Sequence, residues 1–259
     1  MFCLNWPELS WGKPVAPADF LLSRKHEPWL ARILLKVQAA MQTYRMLPPD
    51  EGVMVGLSGG KDSLALLVCL HILNRGIRPL KACHVQNLAS PDASEALESM
   101  AMLCGEMDIP FIVSSIQLDQ HEGCYACAHA RRKALLAAAS DAGCSRLALG
   151  HTRKDFAATA LLNLSTRGRL ETLEPVRSYF GNSITVIRPL MYLEDADVRR
   201  LVRRLNLSIC KNPCPLAGRT ARSDAEQALV LLENRNPHAA LHIMRAALAS
   251  SNLSVYSNR

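Results

Sequence analysis

Ser58-Gly59-Gly60-Lys61-Asp62-Ser63 lies between an apolar run at 53–57 and a second apolar run at 64–72, and this arrangement indicates the fold. A strand, a glycine turn and a helix start in this order direct backbone N–H groups at a phosphate. The paired glycines let the backbone approach an anion closely, and Lys61 adds a cation. Asp62 is unusual at a phosphate site, and a bound Mg²⁺ would account for it. An ordinary glycine turn with a solvated Lys-Asp pair is the alternative.

Outward from this 58–63 loop, strands and helices alternate. Strands are predicted at 53–57, 80–85, 111–116, 146–149 and 186–190, with helices between them, among them one at 61–74. Further helices are predicted at 29–44, 195–205, 223–233 and 237–249. The pattern predicts an α/β fold with a doubly wound, mostly parallel, five-stranded sheet. Ligands of such sheets bind at the carboxyl ends of the strands.

Three regions follow from this pattern. Residues 1–48 are predicted to form an arm and the N-terminal helix, and residues 49–215 to form the α/β domain that holds the phosphate site and a cysteine site. Residues 216–259 are predicted to form a C-terminal helical extension, whose end at 250–259 frays as chain termini often do.

Composition and charge favour an anionic partner. The chain has 259 residues, 49% of them hydrophobic, and a net charge of +7. Such an excess of positive charge points to nucleic acid or to a mildly basic enzyme of nucleotides. No apolar run approaches the roughly 18 residues of a membrane span, and the N-terminus does not have the pattern of a signal peptide. We therefore expect a cytoplasmic protein with no membrane partner.

Nine cysteines in a reducing compartment do not predict a disulfide framework. Cys124 and Cys127 have the Cys-x-x-Cys spacing of metal ligands at a predicted helix start, where the helix dipole favours thiolate. Cys210 and Cys214 form a second group, which favours a metal over a redox dithiol. The spacing is compatible with zinc and with an iron–sulfur cluster. Four cysteines in apolar contexts are predicted to be small buried hydrophobes: Cys69, Cys83, Cys104 and Cys144.

The 58–63 loop resembles the PP-loop of ATP pyrophosphatases, and the motifs that follow it narrow the resemblance. In order they are Cys124-x-x-Cys127-x-x-x-Arg131-Arg132, Gly150-His151-x-x-x-Asp155, Ile187-Arg188-Pro189-Leu190 and the late Cys214. Over about residues 30–245, this set is similar to the tRNA 2-thiocytidine synthetase family of cluster-dependent tRNA thiolases. The resemblance implies an adenine-nucleotide α-hydrolase-like fold and ATP, Mg²⁺ and a 4Fe–4S cluster as cofactors.

It also implies a reaction. The enzyme adenylylates the C2 oxygen of a tRNA pyrimidine, and sulfur delivered through the cluster then displaces AMP. The partners implied are tRNA and a sulfur donor such as a cysteine desulfurase, with a second copy of the chain as a candidate partner in a homodimer.

Carried over residue by residue, the resemblance assigns three groups of site residues. The ATP site comprises Ser58, Gly59, Gly60, Lys61, Asp62, Ser63 and His151. The catalytic residues are Asp62, Asp155 and Arg131. The cluster ligands are Cys124, Cys127 and Cys214, with Cys210 as the alternative third ligand. The chain departs from the family at Lys154, where the family has the first of two acids, and around Cys214, where the spacing differs.

Other functions remain open at this stage. The same fold could thiolate a tRNA uridine or a small molecule, or form a nucleotide-binding module with structural zinc and no thiolase activity. Lysidine-type amidation shares the loop and tRNA but has no use for the cysteines. Four arginines are predicted to lie on one helix face, which is either a solvated surface or a tRNA contact: Arg199, Arg200, Arg203 and Arg204.

Overall fold

The computed structural model describes residues 27–48, 51–74, 76–89, 94–118, 123–210 and 220–257, without the side chains of Cys124 and of 252–257. The helices are α1 (Pro28–Thr43), α2 (Lys61–Asn74), α3 (Ser94–Glu106), α4 (Gly123–Asp141), α5 (Arg153–Arg167), α6 (Asp195–Arg204), α7 (Ala221–Arg235) and α8 (Ala239–Ser257). The strands are β1 (Val53–Gly56), β2 (Leu80–Asn87), β3 (Phe111–Ile116), β4 (Arg146–Ala148), β5 (Val176–Tyr179) and β6 (Ile184–Ile187).

The strands form one sheet in the order β3-β2-β1-β4-β6-β5. All neighbours are parallel except β5, which pairs antiparallel with β6. The predicted α/β class with a mostly parallel sheet is confirmed, but the count of five strands is wrong because β5 was missed. That strand has four residues, two of them exposed, and reaches β6 through a turn at 180–182 in which every residue has positive φ. A four-residue segment with two polar residues lacks the apolar pattern that predicts a strand from sequence.

Two apolar cores cover the two faces of the sheet. Val53 and Val55 of β1 face the core built with helices α1, α2 and α6, whereas Met54 faces the smaller core beneath α4. Helix α2 has nine buried residues and is apolar on all sides, because it lies between the sheet and the outer helices. Its predicted bounds, 61–74, are confirmed. Burial on this scale stabilises α2 by about 1.5–3 kcal/mol for each large apolar side chain.

Several element ends differ from prediction, three of them as follows. Helix α4 was predicted at 127–142 but begins at Gly123, so the Cys-x-x-Cys pair lies in its first turns. A short 3₁₀ turn, Pro189–Tyr192, follows β6 where the strand was expected to continue. Helix α8 runs to Ser257, although fraying was predicted from 250 onward. Within the described ranges, no helix combines the length and apolarity needed to cross a bilayer.

Candidate active site

The 58–63 loop joins the carboxyl end of β1 to helix α2 and is held in shape by its own hydroxyls. The Ser58 N–H donates to Ser63 Oγ at 3.1 Å, and that hydroxyl donates to the Gly60 carbonyl at 2.9 Å. The first intrahelical bond of α2 runs from the Leu64 N–H to the Gly60 carbonyl. The N–H groups of 61–63 therefore have no intrahelical acceptor and form the anion-binding end of the helix.

Gly59 shows why glycine is needed in this loop. Its φ is +75°, a conformation that L side chains rarely adopt. A β-carbon there would lie 3.0 Å from Cβ and 3.3 Å from Sγ of Cys210. The Cys210 N–H also donates to the Gly59 carbonyl at 3.0 Å. The segment that leads to the late cysteines thus lies directly against the loop.

Lys61 is shared between two carboxylates. Its ammonium lies 2.7 Å from Asp62 and 2.8 Å from Asp195, the first residue of α6. Burial lowers the pKa of Lys61, but the hydrogen bonds to Asp195 and Asp62 raise it by more, so the ammonium stays charged. Burial raises the pKa of Asp62, which Lys61 partly offsets, and the nearby charges of Asp155 and Asp195 raise it further.

Sequence reasoning missed Asp195. The acids Glu194, Asp195 and Asp197 begin a helix, where acids are common because they favour the helix dipole. The available signal was that this helix follows the carboxyl end of a strand in the same sheet, the edge at which ligands bind.

The Gly150-His151 corner packs directly on the 58–63 loop. A β-carbon at Gly150 would lie 2.9 Å from the backbone carbon and oxygen of Asp62. His151 follows, and its Nδ1 accepts a 3.3 Å hydrogen bond from Nε of the buried Arg188. Burial lowers the pKa of His151 to about 4, and the charge of Arg188 adds to this effect. The imidazole is therefore neutral at pH 7, with its proton on Nε2 as a donor for an anion.

Both carboxylate oxygens of Asp155 have partners within the protein. One carboxylate oxygen accepts from the Thr152 N–H at 2.8 Å and from the Thr152 hydroxyl at 3.0 Å, which caps helix α5. The other oxygen pairs with Arg222 of α7. This geometry matches the helix-capping role of an acid at this position, and its catalytic role stays a prediction.

Arg131 lies on α4, the helix that packs against β1 and β2. Its Nε is buried and has no hydrogen-bond partner among the described residues. Its charge contributes to a lowered pKa of His84, an effect due first to burial. The ring of His84 lies 2.8 Å from the carbonyl of Leu57, immediately before the 58–63 loop. The position of His84 beside the loop was not predicted, because in sequence it is one polar residue within a predicted strand.

The cysteine predictions have mixed outcomes. Cys69, Cys83, Cys104 and Cys144 are buried, as predicted, and burial raises the pKa of Cys69 to about 12. Cys127 and Cys210 are half-buried. The Cys124 side chain and all of Cys214 lie outside the described residues, so the ligand set stays a prediction. Among the residues that are described, no three His, Cys, Asp or Glu side chains are placed to hold a metal ion.

Comparison with known proteins identifies the relatives of this arrangement. Residues 32–248 match the model of the PP-loop domain family. The chain is 32% identical over 221 residues to the tRNA-cytidine(32) 2-sulfurtransferase of Paracoccus denitrificans, covering 80% of this chain and 73% of the relative. The corresponding enzyme of Cereibacter sphaeroides is 33% identical, with coverages of 80% and 74%.

Among solved structures, the U34-tRNA thiolase NcsA of Methanococcus maripaludis, determined with its 4Fe–4S cluster, matches with a TM-score of 0.76. It is 23% identical, and the match covers 86% of this chain and 79% of that one. This likeness confirms the fold.

Proposed function

Because the chain belongs to the PP-loop domain family and, within it, to the tRNA-cytidine(32) 2-sulfurtransferases, we propose that it thiolates a cytidine of tRNA at the expense of ATP. The base oxygen at C2 attacks the α-phosphate and pyrophosphate leaves. A sulfur nucleophile then forms a bond to C2, and the C2 oxygen departs with AMP. Each step exchanges one bond for another, and neither changes the oxidation state of the base.

The observation that carries this proposal is the contact between the 58–63 loop and the late cysteine segment. Cys210 touches Gly59 of the loop through both backbone and side chain. An enzyme that primes a base with ATP and then replaces an oxygen by sulfur needs its phosphate site and its cysteines close together. The approach of Cys210 to the loop supports that requirement.

The proposed roles follow from the local geometry. Lys61 and the free N–H groups at the start of α2 balance the charge of the phosphates. Asp62 would hold Mg²⁺, and His151 donates from Nε2 to a phosphate oxygen. Arg131, whose buried Nε has no partner among the described residues, is the proposed cation for the oxygen of the activated base or for its phosphate.

The cysteines are proposed to hold the cluster. Cys127 lies in the first turns of α4 and is half-buried. Cys124 lies one turn earlier, and Cys214 or Cys210 would complete a set of three thiolates. A 4Fe–4S cluster held in this way would supply a soft sulfur carrier with one iron free of protein ligands.

Helix α6 is the proposed contact for tRNA. All four of its outward-facing arginines, Arg199, Arg200, Arg203 and Arg204, are exposed on the helix that begins at Asp195 beside the loop. Phosphate contacts of this kind weaken steeply with salt. A cytoplasmic location, a sulfur donor of the cysteine desulfurase kind and a homodimer stay predictions.

Anaerobic purification with iron and sulfide analysis and a visible spectrum tests the cluster. We expect a broad absorption shoulder near the violet that is lost in Cys124→Ala and kept in Cys104→Ala, which changes a buried cysteine of the larger apolar core. Comparing Cys210→Ala with Cys214→Ala identifies the third ligand. Stoichiometric zinc without iron would instead favour the structural-zinc module.

Nucleoside analysis by mass spectrometry tests the substrate. Incubation of the enzyme with unmodified tRNA, ATP and a sulfide source should produce 2-thiocytidine together with AMP and pyrophosphate. Thiouridine in its place would identify the uridine-specific alternative, and pyrophosphate release without tRNA would contradict tRNA as the substrate.

A further inference from the structure

We propose that Asp195 is a counter-ion of Lys61, and that the phosphates of ATP displace it from the ammonium when the nucleotide binds. This inference deepens the proposed function, since it rests on ATP as the ligand of the loop. It assigns a positioning role to a residue that lies far from the loop in sequence and that the motifs do not include.

The Lys61 ammonium lies between two carboxylates. Lys61 contacts Asp62 at 2.7 Å and Asp195 at 2.8 Å. Asp62 belongs to the loop itself, whereas Asp195 is brought in by helix α6, which packs against α2. The side chains of Lys61 and Asp195 are 33% and 28% exposed, so both can be reached by a ligand from solvent. The pair therefore lies at the mouth of the phosphate site.

Asp195 can release Lys61 without becoming an unpaired charge. Its second oxygen lies 2.8 Å from Arg199, four residues along the same helix. Burial raises the pKa of Asp195, but the hydrogen bond to Lys61 and the charges of Lys61, Arg199 and Lys154 together lower it by more. Arg199 stays in contact with Asp195 after Lys61 has turned to a phosphate, and the charge of Lys154 also favours the Asp195 carboxylate. Loss of the Lys61–Asp195 contact should therefore destabilise the protein only slightly.

A phosphate competes with Asp195 for the Lys61 ammonium. The Asp195 carboxylate repels an incoming polyphosphate. It also accepts a hydrogen bond from the Lys61 ammonium, which a phosphate would otherwise receive. Both effects oppose nucleotide binding until the pair opens. Replacing Asp195 by asparagine removes the charge but keeps the size, so the loop should bind ATP more tightly than in the wild type.

The expected change is about two- to fivefold in Kd, since partly exposed ion pairs contribute modestly. Isothermal titration of ATP into the tRNA-free protein measures it, with EDTA and with Mg²⁺ in parallel. Asp197→Asn is the matched control: it removes the same charge two residues further along the same helix, from a pair with Lys36 at 2.6 Å that is outside the loop. Asp195→Glu restores the charge and should return Kd toward the wild-type value.

The outcomes separate this inference from the proposed function. Tighter ATP binding by Asp195→Asn than by Asp197→Asn supports it. Equal Kd values for the two variants, or weaker binding by Asp195→Asn, overturn it. Weaker binding that occurs only with Mg²⁺ would make Asp195 a metal ligand instead. If the wild-type protein did not bind ATP, both the proposed function and this inference would be contradicted. Urea unfolding of each variant confirms that the protein measured is folded.

Discussion

Alanine in place of Gly150 would push a methyl group into the first turn of helix α2. Its β-carbon would lie 2.9 Å from the carbonyl carbon and oxygen of Asp62 and 3.0 Å from the nitrogen of Ser63. All three are backbone atoms, so none can rotate away as the end of a side chain would. Restoring an ordinary separation of about 3.5 Å requires a shift of about half an ångström.

That shift falls on the loop that carries Lys61 and Asp62. Overpacking of this kind costs about 1–3 kcal/mol of the free energy of unfolding. Because a misplacement of about 1 Å at a reacting group can cost about a hundredfold in rate, half that displacement should lower ATP-dependent product formation about tenfold or more. Stability and activity should therefore fall together.

Gly105→Ala is the matched control. Gly105 lies near the end of α3, its φ is not positive, and no heavy atom lies within 4 Å of its β-carbon position. Alanine there should raise the free energy of unfolding by up to about 1 kcal/mol, because it favours the helix. Urea unfolding followed by circular dichroism measures both variants, and pyrophosphate release measures activity. Equal urea midpoints for the two variants, with wild-type pyrophosphate release by Gly150→Ala, would refute the reasoning.

Two further predictions concern single side chains of the site. In Asp62→Asn, tRNA binding measured by filter retention should survive while thionucleoside formation stops; turnover at the wild-type rate would show that the 58–63 loop is wrongly assigned. The pKa of His151 is about 4 in the folded protein against a usual value of 6.5, so the unfolded chain takes up this proton first. The free energy of unfolding should therefore fall as the pH drops from 6.5 to 4, by up to about 3 kcal/mol, and urea titrations of His151→Gln should show a flatter profile over that range. An unchanged acid slope in this variant would assign the loss of stability to other groups.

Short-range sequence patterns correctly predicted the parts of the fold that depend on residues close together in the chain. The 58–63 loop, the helix at 61–74 and the alternation of strands and helices are all readable because each depends on neighbours in sequence: glycines at a turn, an apolar run of helical length, and short apolar runs between them. The buried cysteines follow from the same apolar contexts. Strand β5 was not readable, because its four residues gain their strand conformation from pairing with β6.

A phosphate-binding loop in an α/β sheet and two groups of cysteines can be predicted from the amino-acid sequence alone. Three contacts become visible only in the folded chain: Asp195 faces Lys61, Cys210 lies against Gly59, and Gly150 supports the start of α2. The physical reason is that these contacts join segments far apart along the chain. They depend on the order in which the strands pair and on how the helices pack over them, and no local periodicity carries that information.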